Sequence, residues 1–451
     1  MTSFFRPLRQ RRLSRNIAIV VGAVLLVTLD QNSTGTVGPK LTFGVLDSTC
    51  AADRVGALSR AGVELAQMDV LWDQLEPIPG QVDREYADDL AAAITTCQDA
   101  GIKVILGLGL QYAPEWVRDL PNGTYWNQAG DPHTGQVPNI VFSKYVRQAF
   151  EQHAANVLRI APPASIHAIR LGTSEGGELG YPLGKKRAEH SVPNFWAFNE
   201  ANPAVNNVPP DVGQAPLPGW RPGDGTWRGQ AVTPAQMRSW FGWYSEAPVA
   251  AVLWQANVLR GLGFSGNFHV PLAGGGAYPS QLQKAIASEL VNIEDPDGSL
   301  ERGLYYPDQL RALSKGEHKD ALIADVTGLD DVTAVQARSR TPATDSCSPV
   351  DHLIDLTTNP DAERWSSSRW TIANARKFGL KVIGENPGSP HASNTGGHSE
   401  SDDLQDQMKH APRYAAECGL SMFLWAFEDN LFSEPQHPRL DDYRKSISTY
   451  Q

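Results

Sequence analysis

The sequence predicts a (β/α)8 barrel, and three observations support this fold class. Eight short apolar runs alternate along the chain with segments of helical periodicity. The length of 451 residues, 41% of them hydrophobic, suits a barrel with long loops. A helix end, a glycine and an apolar run follow one another at four junctions: RAGVELAQM (60–68), DAGIKVILG (99–107), KFGLKVIGE (377–385) and ECGLSMFLW (417–425).

The predicted elements alternate from the first strand to the last. The apolar runs are nearly continuous, as expected for parallel strands covered on both faces, and glycine after a helix can adopt the left-handed conformation that ends it. Strands are predicted near 41–47, 63–71, 103–109, 166–171, 267–272, 321–326, 381–385 and 421–426. Helices are predicted near 51–61, 84–100, 142–159, 234–262, 278–291, 360–378 and 403–417.

Two features of this scheme leave alternatives open. The sixth strand has two candidate segments, LIADVTG (322–328) and HLIDLTT (352–358). A doubly wound open sheet is the alternative fold, although no G-x-G-x-x-G opens a first helix as its nucleotide-binding version requires.

The first residues have the organisation of an export segment. A basic stretch, RPLRQRRLSR (6–15), precedes a 13-residue apolar core at 17–29, shorter than the roughly 20 residues of a transmembrane helix. No clear small-x-small cleavage site follows, so residues 1–30 are predicted to be a signal peptide or a membrane anchor, with a buried helix as the alternative. Residues 31–40 are predicted to form a linker, and 41–451 are predicted to form the barrel. We expect a protein that is secreted or anchored on the outer face of the cytoplasmic membrane.

Charge and cysteine content agree with this location. Residues 1–29 contain five arginines and no acid, so the net charge of −11 becomes −16 for the rest of the chain, which argues against nucleic acid as a partner. Membrane contact is expected only through the N-terminal segment. Cys50, Cys97, Cys347 and Cys418 permit three disulfide pairings, with free thiols as the alternative, and no C-x-x-C spacing indicates a thiolate zinc site.

Polar and aromatic residues follow most of the predicted strands. In a barrel, the residues at the carboxyl ends of the strands converge on one mouth. The residues at these positions are Asp47, Asp69, Trp72, Glu76, Gln111, Tyr112, Glu175, Glu178, Glu385, Asn386, Trp425, Glu428 and Asn430. The long connection 183–233 contains three tryptophans and is predicted to roof this mouth, with a plain surface loop as the alternative.

Carboxylates with few histidines and cysteines indicate acetal chemistry on sugars. Glycoside cleavage needs one acid to protonate the leaving oxygen and a second carboxylate to act as nucleophile or to activate water. Strands 4 and 7 are opposite each other in a ring of eight, so Glu385 can face Glu175 or Glu178 across the mouth. Arg170, inside strand 4, either pairs with a buried carboxylate such as Glu385 or reaches a helix end on the outer face.

Several segments resemble β-amylases. GGELGYP (176–182) is similar to their G-E-L-x-Y-P, whose glutamate is the catalytic acid, and GENPG (384–388) is similar to their G-E-N-A, whose glutamate is the base. The segment 68–90 resembles their second-strand region, and APEWV (113–117) resembles their P-Q-W-V. Family 42 β-galactosidases are similar in sharing a barrel with glutamates on strands 4 and 7.

The resemblance implies a role for each acid. Glu178 is implied to be the acid and Glu385 the base or nucleophile, while Glu175, which the family lacks, could orient Glu178 or raise its pKa by like-charge repulsion. Leu71 replaces the first tryptophan of the β-amylase pair, and the aspartate-bearing loop after strand 3 has no counterpart. The similarity therefore indicates the reaction class more than the substrate.

The sequence thus predicts a glycoside hydrolase that needs no cofactor and acts on an oligosaccharide or polysaccharide. An exported carbohydrate-binding barrel without turnover is the first alternative, and a metal-dependent hydrolase using the histidine-bearing segment 388–403 is the second. The predicted catalytic residues are Glu178, Glu385 and Glu175. The predicted substrate-binding residues are Asp47, Asp69, Trp72, Glu76, Gln111, Tyr112, Tyr181, Trp196, Asn386, Trp425 and Glu428.

Overall fold

The structure, a computed structural model, describes most of the chain beyond the N-terminal segment. The described residues are 40–184, 193–199, 208–291, 298–388, 400–433 and 439–451. The predicted export segment and most of the 388–403 segment lie outside them. Within the described residues, we find no helix with the length and apolar character needed to cross a membrane.

Eight parallel strands close into a barrel, which confirms the predicted fold class and excludes the open sheet. Each strand pairs with its neighbours in the chain, and the last pairs with the first, Val45 lying opposite Trp425. The strands are β1 (Thr42–Val45), β2 (Leu65–Asp69), β3 (Lys103–Gly107), β4 (Ala168–Arg170), β5 (Asn267–Leu272), β6 (Leu322–Val326), β7 (Lys381–Glu385) and β8 (Met422–Trp425). Thr226–Trp227 and Gln230–Ala231 form a separate antiparallel pair.

Helices surround the barrel and contribute short turns to its loops. They are α1 (Ala52–Ala61), α2 (Trp72–Leu75), α3 (Arg84–Asp99), α4 (Glu115–Arg118), α5 (Lys144–Ile160), α6 (Pro234–Gly261), α7 (Pro279–Ala287), α8 (Tyr306–Leu313), α9 (Val332–Ser339), α10 (Ser367–Lys377), α11 (Glu400–Glu417), α12 (Glu428–Phe432) and α13 (Leu440–Tyr450). The glycines at the four predicted junctions all have positive φ: Gly62, Gly101, Gly379 and Gly419. These glycines end helices as the sequence predicted.

The sixth strand is formed by the first of its two candidate segments. Leu322–Val326 is buried throughout and pairs with β5 and β7. The competing segment contributes a single 3₁₀ turn, Asp351–Leu353, at the surface, where Leu353 is 73% exposed. In a strand that is covered on both faces, every apolar residue of the run is buried. The second segment does not meet this condition.

Two disulfides connect the outer elements. Cys50 pairs with Cys97, which joins the segment before α1 to α3, and Cys347 pairs with Cys418 at the end of α11. The pairing that the sequence left open is therefore 50–97 and 347–418, and none of the four is a free thiol.

The barrel interior is apolar at its base and charged toward its mouth. Leu65, Ile105, Ala168 and Leu424 belong to one small apolar cluster inside the ring. Further along the same strands, the register places Asp69 beside Gly107, Gly107 beside Arg170, and Arg170 beside His269. The charged residues therefore begin above this apolar floor, at the carboxyl ends of the strands.

Candidate active site

Glu385 is the last residue of β7 and is a buried acid at the mouth of the barrel. It is 2% exposed, and Arg170 donates to both carboxyl oxygens, from Nη2 to Oε1 at 3.1 Å and from Nη1 to Oε2 at 3.3 Å. Burial raises the pKa of Glu385, and Glu178 and Asp69 add to that effect, while Arg170 opposes it. The result is a buried carboxylate in a two-point ion pair.

Arg170 is the central cation of this site. It lies in β4, and burial works against its charge, but Glu385, Asp325 and Asp69 outweigh burial and raise its pKa. Of the two placements that the sequence left open, the structure shows the one in which Arg170 pairs with Glu385. Three strands thus direct carboxylates toward one guanidinium.

Glu178 is presented by a glycine turn directly after β4. Gly176 and Gly177 have positive φ, and the backbone amides of Thr173 and Ser174 donate to the carbonyl of Glu178, which closes the turn. Such a turn needs residues without a Cβ, and this explains the density of glycine in GTSEGGELGYP.

Two partners on other elements hold the carboxyl group of Glu178. Arg302, from the loop before α8, donates to Oε2 at 2.7 Å, and the hydroxyl of Thr327, directly after β6, donates to Oε1 at 3.1 Å. The side chain keeps 21% of its surface exposed. Glu178 also raises the pKa of Glu385, the acid at the end of β7.

Glu175 is directed to different partners from those of Glu178. Its Oε1 lies 3.0 Å from Nε2 of His133, and its Oε2 accepts from the backbone amide of Leu183 at 3.1 Å. Burial favours the neutral form of Glu175, but the bond to His133 outweighs burial and lowers its pKa. These contacts fix the start of the long loop, and the structure does not support a direct role of Glu175 beside Glu178.

Asp69 ends β2 and belongs to a hydrogen-bonded group at the mouth. Gln67 donates to its Oδ1 at 2.9 Å and Gln111 to its Oδ2 at 3.0 Å. Burial raises its pKa against the opposing effect of Arg170. A Cβ at position 107 would overlap Oδ1 of Asp69, so Gly107 leaves the space that this carboxylate occupies.

Two further predicted residues lie at the edge of this group. The residue Asp47 is exposed as a whole, and its backbone amide donates to the side chain of Gln67. Partial burial of the Asp47 carboxyl, together with the nearby Asp429, raises the pKa of that carboxyl. Tyr112 is half-buried, and burial together with Asp69 raises the pKa of its phenol. Both are placed where a ligand entering the mouth can reach them.

Trp72 and Glu76 lie in the protein core rather than at the mouth. Trp72 is fully buried and stacks on His153, with ring centroids 4.3 Å apart. Glu76 is buried and accepts from Nδ1 of His153 at 2.9 Å and from Asn156 at 3.1 Å. The structure does not support a binding role for either, because a sugar would find no exposed surface on them.

The tyrosine and tryptophans predicted to bind sugar are also buried. Tyr181 stacks on Tyr244 with centroids 4.2 Å apart and donates to the carbonyl of that residue. Trp196 and Trp220, in the long loop, are 3% and 2% exposed, so the described part of that loop does not present them as a binding wall. Trp425 is fully buried against Tyr443.

Asn386 and Glu428 have structural partners around β8. Asn386 exchanges two hydrogen bonds with the backbone of Ala426, at 2.7 and 3.1 Å, and donates to Gln407. Glu428 is buried and lies 3.5 Å from Nη1 of Arg54. The polar groups of Asn386 already serve the fold, so its predicted binding role is not supported. Oε2 of Glu428 has no hydrogen-bond partner among the described residues, and the binding role of Glu428 stays a prediction.

The structure adds residues that the sequence did not single out. Arg302 comes from a loop whose path a sequence pattern does not reveal, and Thr327 directly follows β6. Asp325, inside β6, is fully buried between strands that lead to the acids. Phe427 is 42% exposed, and its ring lies next to Gly388, so an accessible aromatic face follows β8. The position directly after a barrel strand was the available signal for Thr327 and Phe427.

The described residues offer little for a metal ion. Among them, no group of three or more histidine, cysteine, aspartate or glutamate side chains has the arrangement that a metal needs. The histidine-bearing segment proposed as a metal site lies mainly at 389–399, outside the described residues.

Comparison with known proteins finds similarity in structure. No family model and no curated protein matches the sequence. The catalytic domain of β-amylase from Paenibacillus polymyxa superposes with a TM-score of 0.57 at 15% identity, over 92% of this chain and 100% of that one. β-Galactosidases from the psychrophilic Marinomonas ef1 and from Halorubrum lacusprofundi give TM-scores of 0.53 and 0.52 at 12% and 14% identity, each over 91% of this chain. The chain spans 58% of the length of each β-galactosidase. The barrel is therefore of the kind found in the two groups that the motifs resemble.

Proposed function

We propose that this protein is a glycoside hydrolase that cleaves an O-glycosidic bond in an oligosaccharide or polysaccharide with two glutamates. One observation supports this most: Glu385 ends β7, Glu178 follows β4 three strands away in the same ring, and both carboxyls lie at the carboxyl end of the barrel with an arginine bound to each. The two motifs that resemble those of β-amylases contain these two acids. The similar barrels of a β-amylase and of β-galactosidases support the same class.

Glu385 is the base or nucleophile of this proposal. The two bonds from Arg170 fix its orientation and favour its charged form, while burial and neighbouring acids raise its pKa. A carboxylate that stays charged but has a raised pKa is a stronger base than an exposed one. Glu385 can therefore attack the anomeric carbon or take a proton from water.

Glu178 is the acid that protonates the departing oxygen. Thr327 and Arg302 each hold one of its oxygens, so the carboxyl has a defined direction before substrate arrives. Its exposed fraction leaves access for a leaving group. The separation of the two carboxyls in a sugar complex decides the outcome, with about 5–5.5 Å for retention and about 6.5–9.5 Å for inversion.

The sugar contacts are assigned to the edge of the mouth. Asp69 and Gln111 form a carboxylate–amide pair that can bind hydroxyl groups, and Asp47 and Tyr112 lie beside them. Phe427 offers the exposed aromatic face on which a sugar ring can stack. This mixture of a few polar groups and one aromatic face is typical of sugar sites.

Export belongs to the same proposal. Two disulfides favour an oxidising compartment, which agrees with the basic and apolar organisation of residues 1–30. We propose a protein that is secreted or held at the outer face of the cytoplasmic membrane by that segment.

The test is a screen of the full chain against aryl glycosides and polysaccharides. Wild-type protein, Glu178→Gln, Glu385→Gln and a control, Asp351→Asn, are compared on the best substrate whose leaving group is a sugar. Asp351 is buried and ion-paired with Arg369, remote in sequence from both acids. We expect both glutamate variants to lose about 10²-fold or more and the control to keep its rate. Near-normal rates in both glutamate variants would contradict the site.

A carbohydrate-binding barrel without turnover is the second candidate. Its supporting observation is that Glu385 is 2% exposed and bonded through both oxygens to Arg170. In that case sugars bind, as calorimetry detects, but no substrate of the screen is cleaved. A loss of cleavage on adding a chelator would instead favour the metal-dependent alternative.

A further inference from the structure

Asp325 is a third carboxyl group of the site, and neither the motifs nor the mechanism accounts for it. It is the fourth of the five residues of β6, in register with Pro271 on β5 and Ile383 on β7. Glu385 follows Ile383 by two positions, and strand side chains alternate with period two, so both acids face the barrel interior. Asp325 therefore lies one layer deeper in the barrel than Glu385, on the adjacent strand.

The carboxyl of Asp325 is buried without a hydrogen-bond donor. It is fully buried, and neither oxygen has a partner among the residues that the structure describes. A buried polar group usually has a partner, and an ionised carboxylate needs one most of all. An unpaired charge here would be far more costly than a proton on the carboxyl.

The charges around Asp325 point the same way. Glu385 from β7 and Glu178 from the turn after β4 are the neighbouring carboxyl groups, and Arg170 from β4 is the cation that acts on Asp325. Arg170 already donates to both oxygens of Glu385. His269 on β5 adds no positive charge, because burial and Arg170 lower its pKa to about 3. One guanidinium thus faces more carboxyl groups than it can neutralise.

We propose that Asp325 carries a proton at neutral pH and is a positioning residue for Glu385. When Asp325 is neutral, it does not compete with Glu385 for the guanidinium of Arg170. Glu385 therefore stays charged and keeps its orientation. When Asp325 loses its proton at alkaline pH, it competes for Arg170 and weakens the hold on Glu385. Burial and the two glutamates raise the pKa of Asp325 well above its usual range, in agreement with this assignment.

The proton itself can be observed by infrared spectroscopy without any substrate. Protonated carboxyls have a carbonyl stretching band that carboxylates lack. Asp330 is the competing source, since burial raises its pKa to about 7, so spectra are recorded at mildly alkaline pH. We expect the wild type and the control Asp351→Asn to show a protonated carboxyl band that Asp325→Asn lacks. Identical bands in wild type and Asp325→Asn would overturn the proposal.

The positioning role is tested by the pH dependence of hydrolysis, and this arm rests on the proposed function. The ratio of kcat/KM of Asp325→Asn to that of the wild type is followed from neutral to alkaline pH. We expect the ratio to rise by up to about tenfold per pH unit once Asp325 ionises, the slope of one ionisation. A ratio that does not change with pH would exclude the positioning role. If no substrate is ever cleaved, the proposed function fails while the infrared result still decides whether Asp325 holds a proton.

Discussion

Replacing Glu385 by glutamine should cost less stability than the loss of a buried ion pair usually does. Glutamine removes the charge that Arg170 contacts at 3.1 and 3.3 Å. Removing one partner of a buried pair typically costs about 3–5 kcal/mol, because a buried charge is left without compensation. In this barrel, a second carboxyl, Asp325, acts on the same guanidinium and can ionise in place of Glu385.

The compensation is measured by a double-mutant cycle. We expect Glu385→Gln to lower the free energy of unfolding by about 1–2 kcal/mol. Asp325→Asn should not lower it at neutral pH, because asparagine is neutral in both states, whereas Asp325 has to bind a proton on folding. The double variant leaves Arg170 without any carboxylate of the pair and should lose about 3–5 kcal/mol relative to Asp325→Asn. The coupling between the two positions is then roughly 2 kcal/mol.

Denaturant unfolding of the four proteins provides the assay. Coincident transitions by tryptophan fluorescence and circular dichroism check that each protein unfolds in one step. Strictly additive losses would show that Asp325 does not replace Glu385 beside Arg170, and the reasoning on the charge balance would be wrong.

The pH dependence of stability tests independently whether Asp325 is protonated in the folded protein. The pKa of Asp325 is raised in the folded protein, so the folded state binds more protons than the unfolded state above the usual aspartate range near 3.9. Wild-type stability relative to Asp325→Asn is therefore greatest below that range and falls as the pH rises toward the folded pKa, by up to about 1.4 kcal/mol per unit. Thermal melts of both proteins at increasing pH from about 4 upward check this slope.

Three other predictions concern the surroundings of the two acids. Gly107→Ala should displace Asp69 and raise KM by about tenfold or more, through lost hydrogen bonds to the sugar, as steady-state kinetics would show. Arg302→Gln should lower kcat by about 10- to 100-fold while KM changes little, because a charge-assisted bond that orients the acid is lost; an unchanged kcat would remove Arg302 from the mechanism. Replacing both Cys50 and Cys97 by serine should lower the free energy of unfolding by about 2–4 kcal/mol, and equal denaturation midpoints would contradict this.

The architecture could be predicted from the sequence because each strand is a short local signal. Eight apolar runs, with a glycine before four of them, indicate the strands and their order, and the closed ring follows from their number. The choice between two candidate sixth strands could not be made from the runs, since both are apolar. Burial decides it: Leu322–Val326 is covered on both faces, whereas Leu353 is exposed.

Individual side chains at the strand ends were less predictable than the strands. Glu385 and Asp69 are the last residues of their strands, and their side chains face the barrel interior. The strand register places them near Arg170. Trp72 lies three residues beyond its strand, already inside a short helix, and its ring turns into the core against His153. A polar or aromatic residue just after a strand can face the mouth or the core, because the alternation of strand side chains no longer fixes its direction.

The partners of the acids were the least predictable part. Arg302 and Thr327 are 124 and 149 positions away from Glu178, and loops of irregular structure bring them there. Asp325 lies in a run that is otherwise apolar. Its own charge was the only sequence signal that the barrel interior is polar at the level of Asp325.

The division of labour between the two glutamates can be tested most directly with leaving groups of different acidity. A nitrophenolate departs without a proton, whereas a sugar alkoxide needs one from the acid. We predict that Glu178→Gln keeps nearly the wild-type kcat/KM on a dinitrophenyl glycoside but loses about 10²–10⁴-fold in kcat/KM on the corresponding disaccharide, while Glu385→Gln is impaired on both. Equal losses of Glu178→Gln on the two substrates, or full activity of Glu385→Gln on either, would contradict the assignment.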